Sequence, residues 1–179
     1  MLRSLVGSEM CIRDRLRLTF LIRVIKKEQQ HLLQTDARLF ATPLTKEKLA
    51  ELEHNIDLAE QLDAFASRFG RLQDNVGDKL LPAVLLALGE KKGPVLDNLN
   101  KAEKFGWLSS SGDWIAARQL RNKMVHEYIE DPELLAASFN VAHQFIQLLQ
   151  NFSQQLIEAV ESRGPVSYTH LRAHETPEH

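Results

Sequence analysis

Apolar residues recur every three or four positions through most of the chain, and this spacing constrains the fold more than any other feature. It predicts amphipathic helices, because residues three and four apart share one helix face. The last segment adds a seven-residue repeat with flanking apolar positions. The repeat is Leu135, Ala142, Leu149 and Leu156, and the flanking residues are Leu134, Val141, Phe145, Leu148, Phe152 and Val160. No segment shows the two-residue alternation of a strand, so we predict an all-α protein, a single antiparallel bundle of about five helices.

Capping and turn residues set the predicted helix boundaries. Thr45 is the predicted N-cap of a long helix that continues toward about residue 80. Pro82 is expected to kink or end that helix, because proline lacks the N–H donor and crowds the preceding turn. Shorter helices are predicted over 94–105 and 112–129. Asp131, followed by a proline, has the pattern of an N-cap at the start of the last helix.

The composition excludes several classes of protein. The chain of 179 residues carries a formal net charge of -2 and a single cysteine, Cys11. This charge gives no general attraction to nucleic acid or anionic membranes, and no apolar run approaches the roughly 18 residues of a membrane helix. One cysteine forms neither a disulfide framework nor a cysteine-based zinc site. We therefore expect a cytoplasmic domain that does not interact with a membrane.

The two ends of the chain are related to each other through DNA. The sequence CTCGTGGGCTCGGAGATGTGTATAAGAGAC encodes residues 5–14, and its reverse complement, read in one frame, encodes residues 166–175. Both ends resemble translations of a transposon-end adapter used in DNA library preparation. We therefore predict that residues 1–15 and 165–179 are adapter-derived scars and that the native helical domain spans 16–164.

Excluding both ends changes the composition but not the net charge. They hold four of the 22 Lys and Arg residues and four of the 24 Asp and Glu residues. The cysteine is lost as well, and Tyr128 becomes the one tyrosine of the predicted native segment.

Two Glu-x-x-His pairs, Glu28 with His31 and Glu51 with His54, have the spacing found in di-iron carboxylate bundles. Such a centre needs both pairs facing the bundle interior, together with a glutamate from each of two further helices. Glu51 lies between two predicted core positions, so it is expected on a different face. We predict solvated faces here, with no metal and no cofactor. His143, beside the apolar stripe of the last helix, is predicted to pack at the edge of the bundle.

One segment concentrates the residues that indicate chemistry. It reads Arg121-Asn122-Lys123-Met124-Val125-His126-Glu127-Tyr128, which is Arg-x-x-x-x-His-x-Tyr. This string, late in an all-α chain of this size, resembles the motif of the HEPN superfamily, and specifically of the HepT-like toxins of HepT–MntA type toxin–antitoxin pairs. The resemblance covers most of residues 45–160.

The resemblance implies a metal-independent endoribonuclease whose composite site forms where two copies of the motif face each other in a homodimer. Arg121 and His126 are then the catalytic residues, and Asn122 and Glu127 support the motif. The resemblance also implies a partner, an MntA-like nucleotidyltransferase antitoxin that adds AMP to the motif tyrosine, Tyr128. The added phosphate and base would place negative charge and bulk where RNA must dock.

The residue types suit RNA cleavage on chemical grounds. RNA is cut by its own 2′-hydroxyl when one group removes that proton and another protonates the leaving oxygen, and histidine can do both near neutral pH. Arginine supplies a fixed positive fork for the phosphate. On an ideal helix, however, positions 121 and 126 point about 140° apart, whereas 121 and 128 lie within about 20°. Either the helix loosens near Val125, or Arg121 and His126 meet across a dimer.

The local charge limits how broadly such a site binds RNA. Arg118 and Lys123 are candidate phosphate contacts, or else belong to a solvated face, and acidic residues follow from Glu127 onward. We expect a small or specific RNA target rather than general RNA coating. Two other functions fit the same residues. In the first alternative, the chain is an inactive HEPN subunit that docks a nucleotidyltransferase or its substrate. In the second, it is a plain oligomeric helical bundle.

Overall fold

A computed structural model describes residues 2–126 and 131–162, and every regular element in these two ranges is helical. The helices are α1 (Leu2–Leu39), α2 (Lys46–Ala50), α3 (Ile56–Gln73), α4 (Leu81–Ala87), α5 (Val95–Lys104), α6 (Ser111–His126) and α7 (Pro132–Glu161). A short 3-10 turn, Leu52–His54, follows α2, and a π-helical segment, Asp74–Leu80, joins α3 to α4 without a break. The predicted all-α class is confirmed.

Polar contacts between α1 and the following long helix establish an antiparallel arrangement. Asn75 in the π-helical segment donates to the Glu28 carboxylate at 2.7 Å. Arg68 on α3 donates to the His31 carbonyl at 3.1 Å. The residue number therefore rises along one helix as it falls along the other.

One hydrophobic core extends from Leu18 on α1 to Ile157 on α7. The predicted seven-residue repeat of α7 lies in it, since all four residues are buried. The prediction that the flanking apolar residues also face the core is wrong at two positions, because Leu134 and Val141 are 52% and 40% exposed. Each precedes a repeat residue by one position and so lies about 100° around the helix from it. The buried face of α7 is therefore narrower near its start than the sequence pattern predicts.

The predicted helix from Thr45 to about residue 80 is interrupted. Thr45 caps α2 as predicted, because its side-chain oxygen accepts from the Lys48 N–H at 3.3 Å. However, α2 ends at Ala50, and Asn55 begins α3 by accepting from the Leu58 N–H at 3.1 Å. A short polar side chain that captures a backbone N–H favours a new helix start over continuation.

Of the two outcomes expected at Pro82, a kink or an end, the end does not occur, because the helical run continues past the proline. The π-helical segment Asp74–Leu80 directly precedes it, and the Leu81 N–H donates to the carbonyl of Val76, five residues back. Pro82 then stands in the first turn of α4, where the structure tolerates its missing N–H. The proline therefore coincides with a change in hydrogen-bond register within one continuous run.

The starts of the last two helices follow the sequence. Ser110 accepts from the Asp113 N–H at 3.1 Å, and Asp131 accepts from the Glu133 N–H at 2.9 Å. Helix α1 already begins within the segment 1–15, and residues 165–179 lie outside the described residues, so the adapter origin of both ends stays a prediction. Among the described residues, no helix is both long and apolar enough to cross a membrane.

Candidate functional site

Helix α6 carries the first six residues of the motif. Its start is held by Glu103 on α5, whose carboxylate accepts from the Ser111 N–H at 2.8 Å. This bond is the main cause of a lowered pKa at Glu103, and a second hydrogen bond, with the Ser111 hydroxyl, adds to it. The backbone stays α-helical through Val125 to His126. The helix therefore does not loosen at Val125.

Helix α6 packs on α7 and α3, and some of its side chains also lie close to the π-helical segment. Its buried residues are Trp114, Ala117, Leu120 and Met124. Two glycines lie opposite α6, and a Cβ atom added to Gly77 would be 3.0 Å from Nε1 of Trp114. A Cβ added to Gly70 would be 2.5 Å from Nε of Arg121. Because Gly70 faces Arg121 and Gly77 faces Trp114, the two helices are antiparallel along this seam, which we call the glycine seam.

The Arg121 side chain crosses α3 over Gly70 and reaches a carboxylate. Its Nη1 lies 3.0 and 2.8 Å from the two carboxylate oxygens of Asp74, the first residue of the π-helical segment. The two side chains are 37% and 36% exposed. Arg121 is therefore fixed at one end and open to solvent at the other.

A second ion pair lies next to the first. Arg118 contacts both carboxylate oxygens of Asp78, at 3.1 and 3.2 Å. Arginines three residues apart on α6 thus meet aspartates four residues apart on the π-helical segment. Arg118 and Arg121 are therefore each paired with a carboxylate, although half-exposed pairs of this kind add only about 0–1 kcal/mol to stability.

The remaining predicted site residues are only partly described. Asn122 and Lys123 are exposed on α6. His126 is the last α6 residue before the gap, and the structure describes its backbone but not its side chain. Glu127 and Tyr128 lie outside the described residues. The structure therefore places Arg121 and Arg118 in one row of ion pairs, while Tyr128 and the side chain of His126 lie outside what it describes.

Sequence reasoning missed three residues of this row, Gly70, Asp74 and Asp78. A signal was present, because glycines seven apart and aspartates four apart lie on the same helical run. Reading that signal requires knowing that this run lies antiparallel beside α6, and periodicity alone does not give helix neighbours.

The alternative metal pattern is not assembled in the structure. Glu28 is hydrogen-bonded to Asn75, while Glu51 and His54 are exposed near the 3-10 turn. Within the described residues, no group of three or more His, Cys, Asp or Glu side chains is placed to hold a metal ion.

His143 lies at the edge of the bundle, as predicted. Its Nδ1 is 2.6 Å from Asp36 of α1. Its ring stacks on Phe40 at a centroid distance of 4.2 Å. The histidine therefore links α7 to the end of α1, where it is half-exposed.

Comparison with known proteins found no match among family models, curated proteins or solved structures.

Proposed function

We propose that this chain is a HepT-like HEPN toxin, a homodimeric endoribonuclease that cuts RNA without a metal ion. The observation that carries this proposal is the Arg-x-x-x-x-His-x-Tyr string with its arginine at the surface. Arg121 is anchored by Asp74 yet 37% exposed, so a phosphate can reach its guanidinium. The all-α architecture, with the motif on the second-last helix, supports the same proposal.

The proposed reaction uses the RNA's own 2′-hydroxyl as the nucleophile. A base removes the hydroxyl proton, the freed oxygen bonds to the adjacent phosphorus, and the bond from phosphorus to the 5′-oxygen breaks. That leaving oxygen takes up a proton, which gives a 2′,3′-cyclic phosphate and a 5′-hydroxyl end. His126 performs the proton transfers and Arg121 stabilises the charge that develops on the phosphate.

A composite site is supported by the backbone of α6. The helix is regular to His126, so the ideal offset of about 140° between positions 121 and 126 applies. Residues on such different faces do not act on one phosphate from within a single straight helix. We therefore propose that Arg121 of one protomer works with His126 of its partner.

Regulation through Tyr128 is the second part of the proposal. A partner nucleotidyltransferase antitoxin of MntA type adds AMP to this tyrosine and blocks the site with charge and bulk. Mass spectrometry after co-expression with such a transferase tests this, and we expect one AMP on Tyr128 in the inhibited protein. An unmodified Tyr128 in an inhibited complex would contradict it.

Inducible expression followed by RNA profiling tests the activity itself. We expect the wild type to arrest growth and to produce new 5′-hydroxyl RNA ends, and His126→Ala to do neither. His143→Ala is the matched control, because it removes a histidine of α7 that lies outside the motif and contacts Asp36 of α1, and it should leave the arrest unchanged.

The same experiment separates the inactive binding subunit from the ribonuclease. An inactive subunit would cause no arrest but would purify as a stable complex with the nucleotidyltransferase. If the protein causes no arrest and forms no complex, only the plain helical bundle remains, and the proposed function would be wrong.

A further inference from the structure

The guanidinium of Arg121 is engaged on one side only. Both of its hydrogen bonds to described residues use Nη1, and both go to Asp74. Its Nε lies against Gly70. Among the side chains that the structure describes, Nη2 has no hydrogen-bond partner. The guanidinium is planar and its donors are fixed relative to each other, so holding Nη1 sets the direction of Nη2.

The close approach to Gly70 is specific to Arg121. Any side chain at position 70 would meet the arginine, because even a Cβ would lie 2.5 Å from Nε and 2.9 Å from Cδ. Arg118 also pairs with an aspartate, Asp78, but its atoms are not among the nearest neighbours of a glycine. The first pair therefore has a built recess, whereas the second is an ordinary surface ion pair.

An arginine that stabilises a developing charge needs this kind of restraint. A half-exposed arginine otherwise samples many rotamers, and a small misplacement of a charge-stabilising group costs much of its effect. A carboxylate that holds the far side of the guanidinium removes this freedom before substrate arrives.

We propose that Asp74 is the positioning residue for Arg121 and that Gly70 provides the recess through which the arginine reaches it. Together they orient Nη2 toward the phosphate of the substrate. This inference rests on the proposed ribonuclease function, but it concerns residues outside the Arg-x-x-x-x-His-x-Tyr string.

Asp74→Asn tests the inference with the smallest change of shape. We expect kcat for cleavage of an RNA oligonucleotide to fall severalfold, up to about fivefold, with little change in KM, because the effect is on orientation in the transition state. Asp74→Glu should restore part of kcat, since it keeps the charge. Asp63→Asn is the matched control, because Asp63 is exposed on α3 with no ion pair in the described structure, and it should cleave at the wild-type rate.

Gly70→Ala tests the recess separately. Alanine strengthens a helix, so lost activity in this variant would not come from a weakened α3. We expect kcat to fall as in Asp74→Asn. The double variant should fall no further than either single variant, because both changes act through Arg121.

A spectroscopic measurement keeps the inference testable without cleavage. In ¹⁵N-labelled wild type, we expect the Nη hydrogens of Arg121 to show slowed rotation, and this signature should be lost in Asp74→Asn and Gly70→Ala. It should persist in Asp63→Asn. A freely rotating Arg121 guanidinium in the wild type would overturn the inference.

The outcomes also distinguish this inference from the proposed function. If Asp74→Asn is folded and cleaves like the wild type, or binds a 2′-O-methyl oligonucleotide more tightly and cleaves faster, Asp74 does not position Arg121. In that case Arg121→Ala and His126→Ala would still be inactive if the ribonuclease proposal holds. If those two variants are as active as the wild type, the ribonuclease proposal itself fails, whatever the NMR result.

Discussion

At both ends of the glycine seam, a glycine allows a large α6 side chain to approach the neighbouring helix closely, but one of these side chains is buried and the other is partly exposed. At one end Gly77 lies under Trp114, which is 1% exposed and belongs to the core. At the other end Gly70 lies under Arg121, which is 37% exposed and paired with Asp74. Both glycines remove a Cβ so that a large side chain of α6 can cross the neighbouring helix.

The difference lies in what the crossing side chain does next. Trp114 continues into the core and packs edge-on against Phe152 of α7, with ring centroids 5.0 Å apart. Arg121 instead pairs with Asp74 of the π-helical segment, and its side chain is 37% exposed. The buried end should therefore set the stability of the seam, and the open end should set its chemistry.

Trp114→Ala should give the largest loss of stability. It removes a fully buried ring and leaves a cavity, so we expect the free energy of unfolding to fall by about 3–5 kcal/mol in urea denaturation. Arg121→Ala should change it by about 1 kcal/mol or less, because its ion pair is half-exposed. Equal losses in both variants would contradict the division between a structural and a functional end.

Substituting the two glycines sharpens the same contrast. Gly77→Ala pushes against a rigid, buried indole and should cost about 1–3 kcal/mol of unfolding free energy. Gly70→Ala should cost less, because the arginine can swing into solvent when its recess is filled. Thermal or urea unfolding of both variants checks the order, and a larger loss for Gly70→Ala would reverse the interpretation.

The two ion pairs should resemble each other in stability and differ in function. Double-mutant cycles in urea should give about 0.2–1 kcal/mol of coupling for Arg121 with Asp74 and for Arg118 with Asp78. Only the first pair should alter kcat. A coupling well above this range for Arg118 would mean that it, too, is held in a built site.

Glu103→Gln removes the α5 carboxylate that accepts from the start of α6. It should give the smallest loss of unfolding free energy, and this loss should depend on pH. The Ser111 N–H, and then its hydroxyl, lower the pKa of Glu103 in the folded protein. The carboxylate therefore stabilises the fold at neutral pH, and this contribution disappears as the pH falls through the lowered pKa. The difference in unfolding free energy between wild type and variant should thus shrink on acidification. A difference that grows on acidification would mean that the carboxylate is not the form that holds α6.

Local signals in the sequence were sufficient for much of the fold. The N-caps Thr45 and Asp131 and the seven-residue repeat of α7 were predictable because each depends on neighbours along one helix. The break at Asn55 was not, because the apolar stripe continues across it and only the asparagine side chain signals a new start. For Pro82 the sequence left a kink or an end open, and the run continues through a π-helical segment whose change of hydrogen-bond register has no local sequence signal.

The candidate site shows the same difference between residues with a local sequence signal and residues without one. Arg121 and His126 are proposed as site residues from a string of eight residues of sequence. Gly70 and Asp74 were not, because they act on Arg121 from another helix. Which helices become neighbours is a property of the packed fold, so residues that support a site from a second helix escape a reading of the motif alone.

Complementation between two inactive variants tests most directly whether Arg121 of one protomer works with His126 of the other. Arg121→Ala and His126→Ala, co-expressed with different tags and purified through both tags, give a heterodimer with one complete site out of two. We predict about half of the wild-type RNA cleavage per dimer, while each variant alone is inactive. A heterodimer as inactive as its parents would place both residues of the site on one chain and contradict the claim.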